Sequence, residues 1–242
     1  MRVFIGMETS GMLRRRFAAL GHDTISCDML PSEDGPSRHH YIGDVFQTLH
    51  YLRKRRQWWP DLAIFHPTCT YHTLAGAWAF GDGPYHQKVQ PGTLVGAARR
   101  NARVQAEADV ENLKALPIWR KVIENPRGTL PTRTSLGRPH DVVQPYEFGD
   151  DASKATCLWF FDAEGNPVPD MALPRDPRKR VPGRLVERGG RFVERWANQT
   201  DSGQNRLPPG VDRWKERSRT YPGIADAMVA WWGQSDPVRV AA

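Results

Sequence analysis

The sequence predicts a three-layer α/β fold, in which helices cover both faces of a mostly parallel sheet. Three observations support this prediction. Short apolar runs that end in Gly or in a polar turn recur up to residue 161, and stretches rich in helix formers separate them. In addition, no apolar run approaches the roughly 20 residues that a membrane span needs. Strand and helix patterns that alternate in this way are typical of a parallel sheet.

The amino-terminal residues predict a βαβ unit of the Rossmann-like type. Residues 1–5 form an apolar run that ends at Gly6, and residues 24–27 form a second run that ends at Asp28. Between them, residues 11–20 have a helical period, with Arg14, Arg15 and Arg16 expected in solvent. The inward helix face is predicted to carry Met12, Leu13, Phe17 and Leu20.

The next elements continue the same alternation. Helices are predicted over 45–56 and 96–115, the second with Val104, Ala108 and Leu113 facing inward. Strands are predicted over 62–65, at Val122–Ile123 and over 155–161, with the second of these stopped by Glu124-Asn125-Pro126. The run over 62–65 is apolar throughout, which indicates a strand covered on both faces.

The chain changes character after Phe161. Prolines, glycines and arginines dominate until residue 219, and an apolar helix is predicted over 224–232. This pattern divides the chain into an α/β domain over residues 1–161, a basic insertion over residues 162–217, and a carboxy-terminal segment over residues 218–242 that contains the apolar helix.

The positive charge of the protein is concentrated in that insertion. The whole chain has 34 Lys and Arg against 27 Asp and Glu, a formal charge of +7, and the segment 174–219 alone carries this entire excess. One interpretation is a solvated, partly disordered linker. The other is an arm that contacts phosphates, because clustered Lys and Arg release counterions from nucleic acid. Trp196 and Trp214 could then stack on bases, or they could anchor the loop to the domain.

The cysteines do not predict a disulfide framework. Cys27, Cys69 and Cys157 are odd in number and widely spaced, so we expect a reduced, intracellular environment. Glu8 interrupts the apolar amino terminus, and we therefore expect no secretory segment.

Cys69 is the first candidate for chemistry. It lies in the polar turn Pro67-Thr68-Cys69-Thr70, just beyond a buried strand, where open α/β sheets place their sites. A lone cysteine is usually a small buried apolar residue, but this position favours a nucleophile. The spacing of His66, Cys69 and His72 also resembles one arm of a zinc site. Because no second arm is visible, we expect no metal.

Glu124 is the second candidate, again at the end of a predicted strand. It can act as a general acid if burial raises the pKa of its carboxyl towards neutrality. The alternative is a structural role, in which Glu124 caps a helix or pairs with Arg127.

The turn from Gly6 to Gly11 predicts a ligand site at a helix amino terminus. Its glycines lack the spacing of a dinucleotide loop, and the chain has no G-K-[ST] phosphate loop. Asp28 stands where a ribose-binding acid would lie, and Asp44 follows the next region. A ligand with a ribose and a base but no phosphate fits this pattern.

Taken in order, these segments resemble the cytosine-C5 DNA methyltransferase family, and in particular its short phage and prophage branch without a full target-recognition domain. The matching segments are Gly6–Gly11, Asp28, Gly43-Asp44-Val45, Pro67-Thr68-Cys69, Glu124-Asn125, Lys154–Trp159 and Ser218–Met228.

The resemblance implies a Rossmann-like methyltransferase fold that binds S-adenosylmethionine, with a basic Pro/Arg-rich carboxy-terminal insertion. It implies Cys69 as the catalytic nucleophile and Glu124 as the acid that contacts the base. The cofactor residues that it implies are Gly6, Glu8, Thr9, Ser10, Gly11, Asp28, Asp44 and Pro67. The substrate residues that we expect are Asn125, Lys154, Arg178, Lys179 and Arg180.

The implied activity is methyl transfer to C5 of cytosine in DNA through a covalent bond between Cys69 and C6. Two alternatives stay open from the sequence. One is the same chemistry on a free deoxycytidine nucleotide or with a modified group, and the other is a non-catalytic protein that binds DNA or S-adenosylmethionine. The resemblance also implies a phage- or prophage-encoded protein in the bacterial cytoplasm.

Overall fold

The computed structural model describes residues 1–86, 88–208, 210 and 213–234, and the final part of the 218–242 segment, from 235 on, lies outside the described residues. Its main sheet has seven strands in the order β3-β2-β1-β4-β5-β7-β6. The strands are β1 (Arg2–Gly6), β2 (Asp23–Asp28), β3 (His40–Ile42), β4 (Leu62–Phe65), β5 (Arg120–Pro126), β6 (Asp141–Val143) and β7 (Thr156–Phe161). The strands from β3 to β5 pair in parallel, whereas β7 is antiparallel to both neighbours.

Helices on both faces give the fold its three layers, as the sequence predicted. The helices are α1 (Met12–Ala19), α2 (Val45–Arg55), α3 (Gly96–Ala115), α4 (Leu130–Arg133), α5 (Arg213–Ser218) and α6 (Pro222–Trp232). Successive residues of β1 point to opposite faces: Val3 and Ile5 pack with α1 and α6, and Phe4 packs with α2 and α3. A parallel sheet that is buried on both faces needs this continuous apolar sequence.

The basic insertion contains regular structure that the sequence did not predict. Residues Arg184–Arg188 (β8) and Arg191–Arg195 (β9) form an antiparallel hairpin with its turn at Gly189-Gly190. Met171 and Leu173, from the same insertion, are buried in the core beside α6. Residues 184–195 therefore have regular structure, and Met171 and Leu173 pack on the α/β domain.

Several details of the predicted helices are also corrected. Arg14 is buried rather than solvated, because its guanidinium binds Asp34, Ser32 and Ser37 from the loop after β2. Leu20 was expected to face inward, but it is 56% exposed. On α3, Val104 and Ala108 are exposed, and the buried face instead carries Arg99, Val110 and Leu113.

The strand that contains Glu124 is longer than predicted. β5 does not stop at Ile123 but continues through Pro126, because β7 pairs with it over this whole length. The Glu124–Leu158 and Asn125–Cys157 pairs fix the register. Glu124 and Asn125 therefore lie on rigid strand backbone rather than in a loop.

Among the described residues, the helices do not combine the length and the apolar character that crossing a membrane requires.

Candidate active site

A cavity of about 470 Å³ lies at the carboxyl ends of the parallel strands. This is the edge at which open α/β sheets place their ligands. Ten of the residues that the sequence singled out line it: Glu8, Thr9, Ser10, Asp28, Asp44, Pro67, Cys69, Glu124, Asn125 and Lys154. We call this space the cofactor cavity, after the role that the resemblance noted above implies for several of these residues.

A second cavity of about 820 Å³ adjoins the first, and we call it the substrate cavity. Both cavities are lined by Cys69, Lys154 and residues 217–220. The far side of the substrate cavity is formed by Asn198, Asn205 and Leu207, which follow the β8–β9 hairpin. Cys69 therefore lies where the two cavities meet, so a group held in either one can approach its sulfur.

The loop that carries Cys69 is held at both ends. The Asn125 side-chain amide donates to the Pro67 carbonyl at 2.8 Å, and the Arg99 guanidinium donates to the Thr70 carbonyl at 2.6 Å. The Cys69 carbonyl accepts from the amides of His72 and Thr73, which starts the following helical turn. This gives the buried Asn125 a supporting role that the sequence did not predict for it.

Cys69 is half-buried, and its surroundings do not activate the thiol. Burial raises the pKa of the Cys69 thiol, and the negative charge of Glu124 acts in the same direction. Lys154 and Arg217 act against this rise. A positively charged ligand in the adjoining cavity would act in the same direction as Lys154 and Arg217 and favour the thiolate.

Glu124 is buried, and its nearest polar partner is His66. The His66 Nδ1 atom lies 3.1 Å from Glu124 Oε2. Burial acts to raise the pKa of the Glu124 carboxyl, but the hydrogen bond and charge of His66, together with Lys154, outweigh it and lower the pKa. The expectation of a raised pKa is therefore wrong, because the sequence did not reveal these two partners. Neither proposed structural partner, a helix amino terminus or Arg127, takes this place.

Lys154 connects the main sheet to the segment that separates the cavities. Its Nζ atom donates to the carbonyls of Arg219 at 3.0 Å and Ser218 at 3.4 Å, and burial lowers the pKa of its ammonium group. Arg219 in turn donates to Glu33, which also accepts from Thr9 in the amino-terminal loop. The segment 217–220 is thus fixed to both sides of the cofactor cavity.

Carboxylates dominate the polar wall of the cofactor cavity. Asp28 ends β2, and burial raises the pKa of its side chain. Asp44 caps α2, since its Oδ1 accepts from the amides of Phe46 and Gln47 at 3.0 and 2.9 Å. Glu8 accepts from the Gly11 amide at the start of α1 and from Ser10 Oγ. A carboxylate already occupies the helix end where a phosphate would bind, so the cavity favours a ligand without phosphate.

Five expected site residues lie elsewhere among the described residues. Gly6 and Gly11 support the loop rather than line the cavity: a Cβ on Gly6 would lie 2.7 Å from Phe65, and Gly11 has a φ of 65°. Arg178, Lys179 and Arg180 follow Asp176 on the surface of the insertion, where Arg178 pairs with Asp176 and Arg180 with Glu194. They can contact only a ligand that extends beyond the two cavities.

Sequence reasoning missed Glu33 and Arg217 as residues of the site, and it considered His66 only as a metal ligand. His66 had a signal, because it is the first residue after β4 and directly precedes Pro67. Within the described residues, no three His, Cys, Asp or Glu side chains come together as a metal site requires.

No protein-family model matches the chain, and no curated protein matches it significantly. A solved structure that is similar in part comes from an E. coli prophage protein, provisionally described as a DNA modification methyltransferase. The similarity has 14% sequence identity and a TM-score of 0.38, and it covers 66% of this chain. It covers 46% of that protein, so this chain spans less than half of its length.

Proposed function

We propose that the protein is an S-adenosylmethionine-dependent methyltransferase that modifies C5 of cytosine in DNA. The observation that carries the proposal is the position of Cys69 at the junction of two cavities, one lined by carboxylates and the other open towards the insertion. A nucleophile in this position can reach a base while the base faces the methyl donor.

The residues of the cofactor cavity fit S-adenosylmethionine. Asp28 can accept from the ribose hydroxyls, and the Asp44 Oδ2 atom, which is not used in capping α2, can accept from the adenine amino group. Met29, Leu30 and Val45 supply apolar wall for the adenine ring. The volume of about 470 Å³ lies within the range of small-molecule sites. When bound, the cofactor supplies the methyl group that C5 receives.

Cys69 and Glu124 have complementary tasks in this proposal. Cytosine C5 is a weak nucleophile as long as the ring is aromatic. Addition of the Cys69 thiolate to C6 forms a C–S bond, breaks the aromaticity and makes C5 nucleophilic. Glu124, in its protonated form, donates to N3 and stabilises the charge that develops there. After methylation, the C5 proton passes to water in the substrate cavity. The electrons of the C5–H bond then form the C5–C6 double bond, and Cys69 leaves as the thiolate.

The arginine-rich hairpin near the substrate cavity favours DNA over a free nucleotide. It carries Arg184, Arg188, Arg191 and Arg195 against Glu187 and Glu194, and Asn198 and Asn205, which follow it, line the cavity. A single nucleotide needs few phosphate contacts, whereas a polymer uses many. A base in a duplex would have to leave the stack to enter the cavity.

The test is incubation with isotopically labelled S-adenosylmethionine and either unmethylated DNA of mixed sequence or deoxycytidine monophosphate, followed by nucleoside analysis. The proposal predicts labelled 5-methyldeoxycytidine from the DNA. Label in the monophosphate alone would assign the same chemistry to a free nucleotide, and label in neither would contradict an enzymatic role.

A further inference from the structure

The His66–Glu124 pair is a buried contact between two titratable groups on neighbouring strand ends. The two side chains are 10% and 11% exposed, and Nδ1 lies 3.1 Å from Oε2. The other ring nitrogen of His66, Nε2, is buried without a hydrogen-bond partner among the described residues. Within that part of the chain, Glu124 alone holds the His66 ring by a hydrogen bond, while the His66 amide donates to the Gly6 carbonyl.

A contact of this kind requires one proton between the two polar atoms. Either the Nδ1–H group donates to the carboxylate, or a protonated carboxyl donates to the ring nitrogen. The groups that face the pair are Asp28 from β2, Cys69 from the loop after β4, Cys157 on β7 and Lys154 just before it. Of these groups, Lys154 favours the ionised form of Glu124.

We propose that His66 is a positioning residue that orients the Glu124 carboxyl and holds the proton that Glu124 presents to N3 of the cytosine. The inference rests on the proposed function. It accounts for a conflict in the site, because Glu124 must be protonated when it meets N3 but lies in surroundings that favour its ionised form. A proton shared with His66 is available inside the site without exchange with solvent.

The proton shared by the pair is conserved over the cycle. Before the reaction, His66 is an imidazolium that carries a proton on each ring nitrogen, and Glu124 is a carboxylate. As the Cys69–C6 bond forms, negative charge develops on N3. The proton then passes from Nδ1 to the Glu124 carboxylate, and the resulting O–H group donates to N3. This transfer leaves His66 as a neutral imidazole. When the bond from Cys69 to C6 breaks, N3 loses this charge and the proton returns to Nδ1.

Two variants separate orientation from protonation. His66→Asn keeps a donor near the position of Nδ1 but cannot ionise, and His66→Leu removes both properties. His50→Asn is the matched control, because His50 lies on α2 and is exposed. The measurements are the thermal midpoint, the affinity for S-adenosylmethionine, and kcat for DNA methylation between pH 5 and 9.

We expect His66→Asn to fold and to bind the cofactor like the wild type, with kcat lower by about 100-fold, a loss typical of removed acid catalysis. We also expect the pH profile of its kcat to differ in shape from that of the wild type. His66→Leu should be less active still. A wild-type rate and pH profile in His66→Asn would overturn the inference, and so would a loss confined to KM or explained by a lower thermal midpoint.

A second readout decides the inference even if the wild type transfers no methyl group, which would contradict the proposed function itself. Proton NMR of the His66 ring is compared in the wild type and in Glu124→Gln. The inference predicts that the Nδ1–H resonance lies further downfield in the wild type, because a hydrogen bond to a carboxylate is shorter and stronger than one to a neutral amide. An unchanged resonance would overturn it.

Discussion

The indole ring of Trp196 stacks on the ring of Tyr146, with centroids 4.0 Å apart and 7° between the planes. The indole N–H also donates to the Val181 carbonyl at 3.0 Å, and Trp196 is 8% exposed. The sequence allowed two roles for Trp196, stacking on bases or anchoring the loop to the domain, and the structure shows the second. Its ring is not free to stack on a nucleic-acid base.

Trp196→Ala should detach the β8–β9 hairpin from the domain. Removal of a buried Trp costs about 3–5 kcal/mol, and part of this cost should appear as local opening rather than global unfolding. Hydrogen exchange of the amides in 184–195 measures that opening. Phe192→Ala is the control, because Phe192 is 70% exposed on the same hairpin, and equal protection in both variants would contradict the anchor.

The cofactor assignment is tested by removing one charge at a time. Asp28→Asn and Asp44→Asn should each weaken binding of S-adenosylmethionine by about 1–3 kcal/mol, measured by calorimetry. Asn is as good a helix cap as Asp, so Asp44→Asn retains the start of α2 and isolates the contact to the ligand.

The control for these variants is Asp170→Asn, an exposed carboxylate that lines neither cavity among the described residues. It should bind the cofactor like the wild type. Unchanged binding in both Asp28→Asn and Asp44→Asn would show that the cofactor cavity has been assigned wrongly.

The role of Arg178, Lys179 and Arg180 is tested by the salt dependence of DNA binding. Their exposed ion pairs with Asp176 and Glu194 are of the weak surface type, so phosphates can replace these partners. Replacing all three by Ala should flatten the plot of log affinity against log salt by about one unit of slope for each phosphate that is no longer neutralised. All DNA sequences should lose affinity to a similar degree.

A matched triple variant at the end of α2 controls for net charge. Arg53, Lys54 and Arg55 are exposed, and their replacement by Ala removes the same charge from a different surface. The account predicts a clearly smaller effect on the slope. If both triple variants flatten it equally, the first cluster makes no specific contact with the backbone.

Lys121 gives the protein a distinct pH dependence of stability. This residue is fully buried at the start of β5, and its Nζ atom donates to the carbonyls of Lys114 and Leu116. Burial lowers the pKa of its ammonium group to about 8, whereas an unfolded lysine has a pKa of about 10.4. Between these values the unfolded chain binds more protons, so stability should rise with pH.

Urea unfolding of the wild type and Lys121→Met at pH 7 and pH 11 measures this effect. The free energy of unfolding of the wild type, relative to the variant, should increase by up to about 3 kcal/mol over this interval. A difference that stays constant with pH would show that Lys121 keeps its charge in the folded state.

The strongly apolar strands and the long helix could be predicted from the sequence, because their local pattern agrees with their tertiary surroundings. The short strand His40–Ile42 and the strand Asp141–Val143 could not, since three residues carry too little pattern. The hairpin was missed because exposed Arg and Glu dominate both of its strands. The burial of Arg14 depends on Asp34, whose approach is set by the path of the loop after β2.

The site was predictable where its residues lie at or near the carboxyl ends of strands. Asp28 is the last residue of β2, Glu124 lies two residues before the end of β5, and Cys69 lies in the loop after β4. The division into two cavities could not be predicted from the sequence, because segment 217–220 returns from a distant part of the chain. The lowered pKa of Glu124 depends likewise on His66 and Lys154, which come from two other elements. Long-range contacts of this kind leave no local signal.

The most direct test of the central claim, that Cys69 is the nucleophile, is covalent trapping with DNA that contains 5-fluorodeoxycytidine. In the presence of S-adenosylmethionine, the wild type and Cys157→Ala, whose cysteine is buried on β7, should form an adduct that survives denaturing electrophoresis. Cys69→Ala should form none and should still bind the cofactor. An adduct that persists in Cys69→Ala, or its absence in a wild type that methylates DNA, would contradict the account.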